Sequence, residues 1–378
     1  MKLKANEVNM KVALVHDFLI YWGGAERVLE GLHRIFPKAP IFTLFYKKEF
    51  FKKFFPHAHI LSSFLQKFPL PHRLLLPFMP TAAESLILDD YDAVISSGAF
   101  SKGIIVRPKT LHIHYCHTPP RFLWEEQKEY IADNVPSGLK SITSLVCHWL
   151  CIWDRQAGEQ RVDEFIANSE WTKQRIKKVY GREAKVVYPF VENSKLETLN
   201  SKQTQNSKLK TKNYFLIISR LQRYKNLELP IKVFTKLNLP LYIVGEGPDK
   251  RRLERIAGDR VKFFGFVDEK KLPSLYKNAR ALIHPSIEDF GLTPLEAMVE
   301  DTPVLAYRKG GAKETILEGE TGEFFDELTQ KSFHNGLQKL LANEKKYNKK
   351  EIAKHAQKFS FEKFKKGIVE TVREQFSN

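Results

Sequence analysis

The sequence predicts two α/β domains, each a largely parallel sheet wound with helices. Three observations lead there. Short apolar runs alternate with helix-period segments in both halves, which is the pattern of stacked βα units rather than of a helical bundle or a sandwich. The 378 residues exceed one ordinary core and suit two domains of roughly 150 to 200 residues each. The stretch Glu192 to Asn213 is rich in Asn, Ser, Lys, Gln and Thr with almost no large apolar side chain, so it separates the halves.

Taken in order, the first half offers strands at Lys11-Val-Ala-Leu-Val-His, Ala93-Val-Ile-Ser, Leu111-His-Ile-His-Tyr-Cys, Glu164-Phe-Ile-Ala and Ala184-Lys-Val-Val-Tyr. The second half opens with Tyr214-Phe-Leu-Ile-Ile-Ser and continues with Leu241-Tyr-Ile-Val, Val261-Lys-Phe-Phe, Ala281-Leu-Ile-His and Pro303-Val-Leu-Ala. From Ser360, a plausible N-cap, Phe361, Phe364, Ile368, Val369, Val372 and Phe376 recur at helical spacing and predict an amphipathic tail helix. The expected division is a first domain over 1–195, a polar linker over 196–212, a second domain over 213–358 and the tail helix over 359–378.

Composition narrows the function classes. A hydrophobic content of 43% supports globular cores. No apolar run approaches the ~20 residues that span a bilayer. Met1-Lys-Leu-Lys-Ala-Asn-Glu has no hydrophobic stretch before Lys11, so neither anchor nor signal peptide is expected, and the cytoplasm is the expected compartment. Cys116, Cys147 and Cys151 form no disulfide framework, which agrees with reducing surroundings. A net charge of +17 favours anionic partners, namely nucleotides, nucleic acid or an acidic membrane face. Nucleic acid lacks a recognised reader motif here. The run Phe45-Tyr-Lys-Lys-Glu-Phe-Phe-Lys-Lys-Phe-Phe-Pro-His, followed by Phe64, Phe68, His72, Leu74 and Phe78, reads either as a membrane-facing lip over 45–78 or as a basic face above buried rings.

In open parallel sheets ligands gather beyond the carboxyl ends of the strands, and both halves carry polar and glycine residues there. Glu288 and Glu296 flank the entry to a helix in Pro285-Ser-Ile-Glu-Asp-Phe-Gly-Leu-Thr-Pro-Leu-Glu-Ala-Met. That arrangement aims a helix N-terminus and two carboxylates at one small polar ligand. Backbone N–H groups from Phe290 through Gly291 and Leu292 to Thr293 would face an anionic group of that ligand. Glu296 also fits a capping box with Thr293, and the two roles can coexist. Ser219-Arg-Leu-Gln-Arg-Tyr-Lys puts Arg220 and Lys225 in a strand-to-helix loop, where they can stabilise negative charge on an anionic ligand. Gly245-Glu-Gly invites a dinucleotide reading, but Lys250 stands where the third glycine belongs.

In the first half, Gly23 and Gly24 follow a strand and open a helix, permitting close approach to a phosphate or sugar, or simply a tight turn. His117 closes His112-Ile-His-Tyr-Cys-His at a strand terminus. His112 and His114 share a strand face with Cys116, not with His117, which weighs against a metal site there, and Cys147-His-Trp-Leu-Cys151 reads as helix packing. Asp90-Tyr-Asp92 precedes its strand and reads as a turn.

The Glu-x7-Glu spacing, Gly310-Gly-Ala-Lys-Glu-Thr and Thr321-Gly-Glu-Phe-Phe resemble family 4 retaining glycosyltransferases. Val15-His-Asp-Phe, Trp22-Gly-Gly-Ala-Glu-Arg, Asp92-Ala-Val-Ile-Ser-Ser and Tyr115-Cys-His-Thr-Pro resemble bacterial GDP-mannose-dependent mannosyltransferases of surface polysaccharide synthesis. The resemblance implies the GT-B fold, two Rossmann-like domains facing a central cleft, with the tail helix crossing back onto the first domain. It implies His117, Arg220, Lys225 and Glu288 as catalytic residues. Gly23, Gly24, Gly245, Gly265, Phe266, Phe290, Gly291, Leu292, Thr293 and Glu296 would bind the donor, with Gly265 and Phe266 near the base, and Arg121 and Trp124 would shape the acceptor side. The implied reaction moves a hexose, foremost mannose from GDP-mannose, to a saccharide or polyprenyl-linked glycan, without metal or other cofactor. A UDP-glucose or UDP-N-acetylglucosamine donor, an epimerase and a non-catalytic binding protein are the alternatives. The partners expected are a sugar nucleotide, a glycan acceptor and an anionic membrane at the inner face of the plasma membrane.

Overall fold

The computed structural model describes residues 10–68, 70–192 and 213–377; the polar linker expected over 196–212 lies outside them. Two compact units divide the chain, one running to Tyr188 and taking back Lys365 onward, the other spanning Pro189–Phe364.

The first unit is built on seven parallel strands, β1 (Val12–Leu19), β2 (Ile41–Tyr46), β3 (Ile60–Ser62), β4 (Ala93–Ser97), β5 (Leu111–Cys116), β6 (Glu164–Ala167) and β7 (Lys185–Val186), in the order β3-β2-β1-β4-β5-β6-β7. The second has β8 (Tyr214–Ile218), β9 (Leu241–Val244), β10 (Val261–Gly265), β11 (Ala279–His284), β12 (Val304–Tyr307) and β13 (Gly322–Phe325), in the order β10-β9-β8-β11-β12-β13. Central strands covered on both faces must be apolar almost throughout, and β1 and β4 are buried along nearly all their length. In each sheet the order reverses direction once, between β1 and β4 and between β8 and β11. Those two switch points open crevices at the carboxyl ends of the strands.

The helices that frame the sites and the cores are α1 (Gly24–Ile35), α2 (Lys48–Phe54), α3 (Lys140–Gln160), α4 (Glu170–Tyr180), α5 (Glu228–Lys236), α6 (Leu272–Asn278), α7 (Leu292–Val299) and α8 (Phe361–Ser377). Helix α1 buries Val28, Leu29, Leu32 and Ile35, one stripe at helical spacing. Helix α4 starts where the Ser169 hydroxyl accepts the Thr172 N–H at 3.0 Å and stops at Gly181, whose φ of +66° is the left-handed C-cap. Helix α8 buries Phe364, Ile368 and Val372, whereas Phe376, expected on the same face, is exposed. Within the first unit, Glu374 of α8 pairs with Lys185 of β7 at 2.9 Å.

Strands β2, β3 and β13 escape the sequence reading. The end of β2 runs into the basic-aromatic stretch, which masks its period, and β13 hides in a glycine-led motif. The capping box that Thr293 offers does not form: α7 begins two residues earlier, with Gly291 rather than Thr293 as N-cap, at φ +84° and with no side chain capping it. Thr293 and Pro294 therefore lie inside the first turn.

The first unit also contains a buried charge pair that sequence reading does not anticipate. The Lys102 ammonium donates to the Asp154 carboxylate and to the Ala99 carbonyl, and the second carboxylate oxygen accepts from Trp124 Nε1 at 2.8 Å and from the Tyr180 hydroxyl at 2.9 Å. Both carboxylate oxygens thus have donors, as burial demands.

Candidate active site

In the second unit, the loops after β8, β9 and β10 interlock. Gly245 N–H donates to the Gly265 carbonyl at 2.8 Å, and Leu221 N–H donates to the Glu246 carbonyl at 2.9 Å. Gly245 sits at φ +135°, and a Cβ there would strike the Ser219 carbonyl oxygen, so this tight approach requires glycine. Arg220 lies two residues beyond β8, and Phe266, just beyond β10, is 78% exposed. An exposed ring beside a glycine-lined strand end suits the stacking of a flat base.

Across the switch point, Lys225 is buried on a short 3-10 turn and its ammonium is seated on the Glu288 carboxylate. Asn226, in the left-handed region at φ +56°, turns the chain after it and donates through Nδ2 to the Pro285 carbonyl at 3.3 Å. The Ser286 hydroxyl donates to Glu288 at 3.3 Å, and Gly311 N–H donates to the Glu288 carbonyl at 2.9 Å. Main chain and carboxylate of Glu288 are thereby both fixed. The Phe290 ring is buried against Phe359, so only the backbone of Phe290 is positioned to meet a ligand. Gly291, Leu292 and Thr293 form the uncapped start of α7, where first-turn N–H groups lack intrahelical acceptors.

Glu296 lies one turn into α7. Its carboxylate accepts the Tyr276 hydroxyl of α6 at 2.7 Å, and the Tyr276 carbonyl in turn accepts the Thr302 hydroxyl at 2.7 Å. The sequence offers the capping box as the competing role for Glu296; the structure gives a tyrosine instead. Tyr276→Phe removes one hydrogen bond to a charged group, a loss of about 1.5 kcal/mol or more, so the donor KM is expected to rise roughly tenfold with kcat little changed. Steady-state kinetics against donor concentration checks this.

His284 ends β11 beneath Glu288, with Nε2 buried and lacking a hydrogen-bond partner among the described residues. Burial pushes its pKa down to about 4, opposed by the Glu288 charge and reinforced by Lys225, so the ring is neutral at pH 7. No period or motif distinguishes this histidine from its apolar strand, so sequence reasoning passes over it.

In the first unit the crevice between β1 and β4 gathers another polar set. Asp17, at the end of β1, accepts the N–H groups of Ala99 (2.6 Å), Phe100 (3.0 Å) and Ser101 (2.7 Å) and so fixes the loop that leaves β4. Ser97 Oγ shares a 2.8 Å hydrogen bond with His117 Nε2, while the His117 carbonyl accepts from Asn168 Nδ2 at 2.9 Å. Burial and nearby His16 lower the His117 pKa to about 3, so this ring too is neutral. Gly23 is the extended N-cap of α1 and Gly24 its first residue. Glu26, in the first turn, is buried with Oε1 3.6 Å from His16 Nε2. His16, Asp17 and Ser97 lie inside motifs that carry the resemblance, yet spacing alone assigns them no role.

His112 and His114 share the Ser96 hydroxyl, each at 2.8 Å, which accounts for the pair without a metal. Both are fully buried. Burial lowers the His112 pKa to about 4 and drives His114 well below its ordinary value, Lys102 adding to the effect on His114. A depressed folded pKa means that the unfolded chain binds more protons below pH 6.5, so stability falls as the pH drops from there toward 4. Each enclosed ring contributes about 1.4 kcal/mol per pH unit in that window. His117 is partly accessible and solvent screening softens its share. The first unit holds these three histidines against His284 and His355 in the second, so it should lose more stability in acid than the second does; calorimetry between pH 7 and pH 5 reads the fall of each transition. Asp92, of the discounted Asp-Tyr-Asp turn, accepts the Lys11 N–H at 2.8 Å and caps the approach to β4.

Two families match the chain, Glycosyltransferase Family 4 over residues 22–195 and Glycosyl transferases group 1 over residues 200–358. The chain is a glycosyltransferase, with a family 4 domain in its first half and a group 1 domain in its second. The enzyme is 24% identical over 354 residues to an alpha-1,3/1,6-mannosyltransferase ALG2 of Candida glabrata, covering 80% of this chain and 71% of that relative. It is 26% identical to the ALG2 mannosyltransferase of Debaryomyces hansenii, covering 88% and 84%. Among solved structures, sucrose-phosphate synthase from Thermosynechococcus elongatus aligns over 98% of this chain and all of that one, with TM-score 0.72 and 19% identity. Anabaena HepE in complex with UDP-glucose aligns over 97% of this chain and all of that one, with TM-score 0.68 and 19% identity. The two parallel-sheet units of the enzyme are those of the GT-B fold.

Proposed function

We propose that this glycosyltransferase transfers mannose from GDP-mannose to a hydroxyl of a saccharide or lipid-linked glycan, with retention of anomeric configuration. The observation that carries the reading is the Lys225–Glu288 pair at the β8/β11 switch point, set between Arg220 and the uncapped start of α7. A carboxylate held by two groups can accept hydrogen bonds from sugar hydroxyls, while the ammonium beside it turns toward a diphosphate. Glu296, fixed by Tyr276, is the candidate for the ribose hydroxyls. Gly265 and Phe266 are the candidates for the base, and Gly23 and Gly24 for close approach to the sugar or phosphate.

Charge develops on the diphosphate as the glycosidic bond lengthens, and Arg220 with Lys225 would lower that barrier in place of a metal. His117, neutral and held by Ser97, can exchange hydrogen bonds with a sugar hydroxyl without adding a charge that would oppose an oxocarbenium-like centre. The similarity to mannosyltransferases supports mannose; the UDP-glucose complex of HepE keeps a UDP donor as the alternative. The three unbridged cysteines agree with a cytoplasmic setting.

Saturation-transfer NMR with GDP-mannose, GDP-fucose, UDP-glucose and UDP-N-acetylglucosamine tests the donor. Selective GDP-mannose signals that fade in Glu296→Ala are expected. A preference for a UDP sugar would overturn the mannose assignment, and loss of turnover in a chelator would overturn the metal-free mechanism.

A further inference from the structure

Helix α3 shows two apolar faces where a surface helix normally has one. Cys147, Leu150, Trp153 and Ala157 point into the core of the first unit. Ile142, Leu145, Trp149 and Ile152, spaced three, four and three residues apart, form a second stripe, and with Leu139 just ahead of the helix they are 46% to 72% exposed. A second strip belongs to elements on the same core, whose inward side chains are Leu65, Leu75 and Met79. Its outward residues Phe64, Phe68, Leu70, Leu74 and Phe78 are 37% to 61% exposed. So much apolar surface on one unit marks an interaction site.

The charges around it choose the partner. No Asp or Glu occurs from residue 50 to 83, where Lys52, Lys53 and Lys67 are exposed, and none occurs from residue 134 to 153, where Lys140 opens α3. Apolar rings and aliphatic chains flanked by lysines, with acid withheld from both segments, complement a surface that is oily beneath and anionic above. No helix among the described residues is long and apolar enough to cross a membrane, so such a face would lie along it. We propose that the outward stripe of α3, together with the exposed side chains of Phe64, Phe68, Leu70, Leu74 and Phe78, docks the enzyme on an anionic lipid bilayer.

The full chain is sedimented with vesicles of phosphatidylcholine alone or mixed with phosphatidylglycerol, without any sugar donor, so the result is independent of the glycosyl-transfer reading. Binding to the mixed vesicles only, weakening as salt rises, is expected. Lys52→Gln with Lys53→Gln should weaken it roughly twenty-five-fold. Ile142→Ser with Leu145→Ser should weaken it at least about tenfold. Both side chains are exposed, so this variant should melt as the parent does. No binding of the parent at low salt, equal binding to neutral vesicles, or full binding by the Ile142→Ser, Leu145→Ser variant would each overturn the proposal. So would a dimer of the parent that this variant dissolves, since a second copy would then occupy the stripe.

Discussion

Replacing Arg220 by alanine is expected to lower turnover roughly a hundredfold, the loss seen when one donor that stabilises a developing oxyanion is removed. The neighbouring lysine explains why so much rests on one side chain. The Lys225 ammonium already has the Glu288 carboxylate against it, so that pair brings little net charge to an incoming diphosphate. On the proposed reading the additional positive charge comes from Arg220, two residues beyond the strand end, whose backbone is held by Ser219 N–H on the Val244 carbonyl at 3.0 Å and by Gln222 N–H on the Arg220 carbonyl at 3.0 Å. A charge that matters most as the bond breaks should appear in kcat more than in KM. Arg220→Lys keeps the charge but loses the planar fork, and an intermediate rate is expected. Turnover at saturating donor reads the effect. Near-normal turnover in Arg220→Ala would remove this residue from the chemistry and leave the diphosphate to Lys225 and the start of α7.

How much of this is legible in sequence depends on the physics of each residue. Strands buried on both faces announce themselves, so Leu111–Cys116 and Leu241–Val244 are readable from apolar runs alone. β2 is not, because Phe45 and Tyr46 continue into lysines and phenylalanines that carry no single period. The pairing of Lys225 with Glu288 joins residues far apart in sequence, and no local pattern encodes it. Their types and positions after strands identify them separately. Glu296 shows the opposite limit: Thr293-Pro-Leu-Glu satisfies a capping box on paper, yet Gly291 can adopt a positive φ and lets the helix start earlier, releasing the carboxylate to Tyr276. His284 and Asp154 stay hidden because burial, not spacing, gives them their character.

Asp154→Ala should be the most damaging single change to stability, costing about 3–5 kcal/mol through the unpaired charge it leaves in the core. Lys102 and Asp154 side chains are 1% and 2% exposed, so water cannot replace the lost partner. Trp124 Nε1 and the Tyr180 hydroxyl lose their acceptor in the same step. For a domain of this size such a loss lowers Tm by roughly 10 °C. Lys102→Met combined with Asp154→Leu removes both charges and should be milder than Asp154→Ala, but not neutral, because the tryptophan and tyrosine donors remain unmatched. The order of the two variants separates burial of a charge from loss of hydrogen bonds. Because Lys102 also holds the Ala99 carbonyl, and Asp17 holds the Ala99 N–H, the network reaches the loop that follows Ser97 and hence the His117 ring. Asp154→Asn keeps the shape and at least one acceptor, so if it melts near the parent but turns over slowly, the pair positions His117 as well as stabilising the core. Calorimetry of the first unit's transition alongside donor kinetics distinguishes these outcomes, and a parent-like Tm in Asp154→Ala would show that the Lys102 charge finds relief elsewhere.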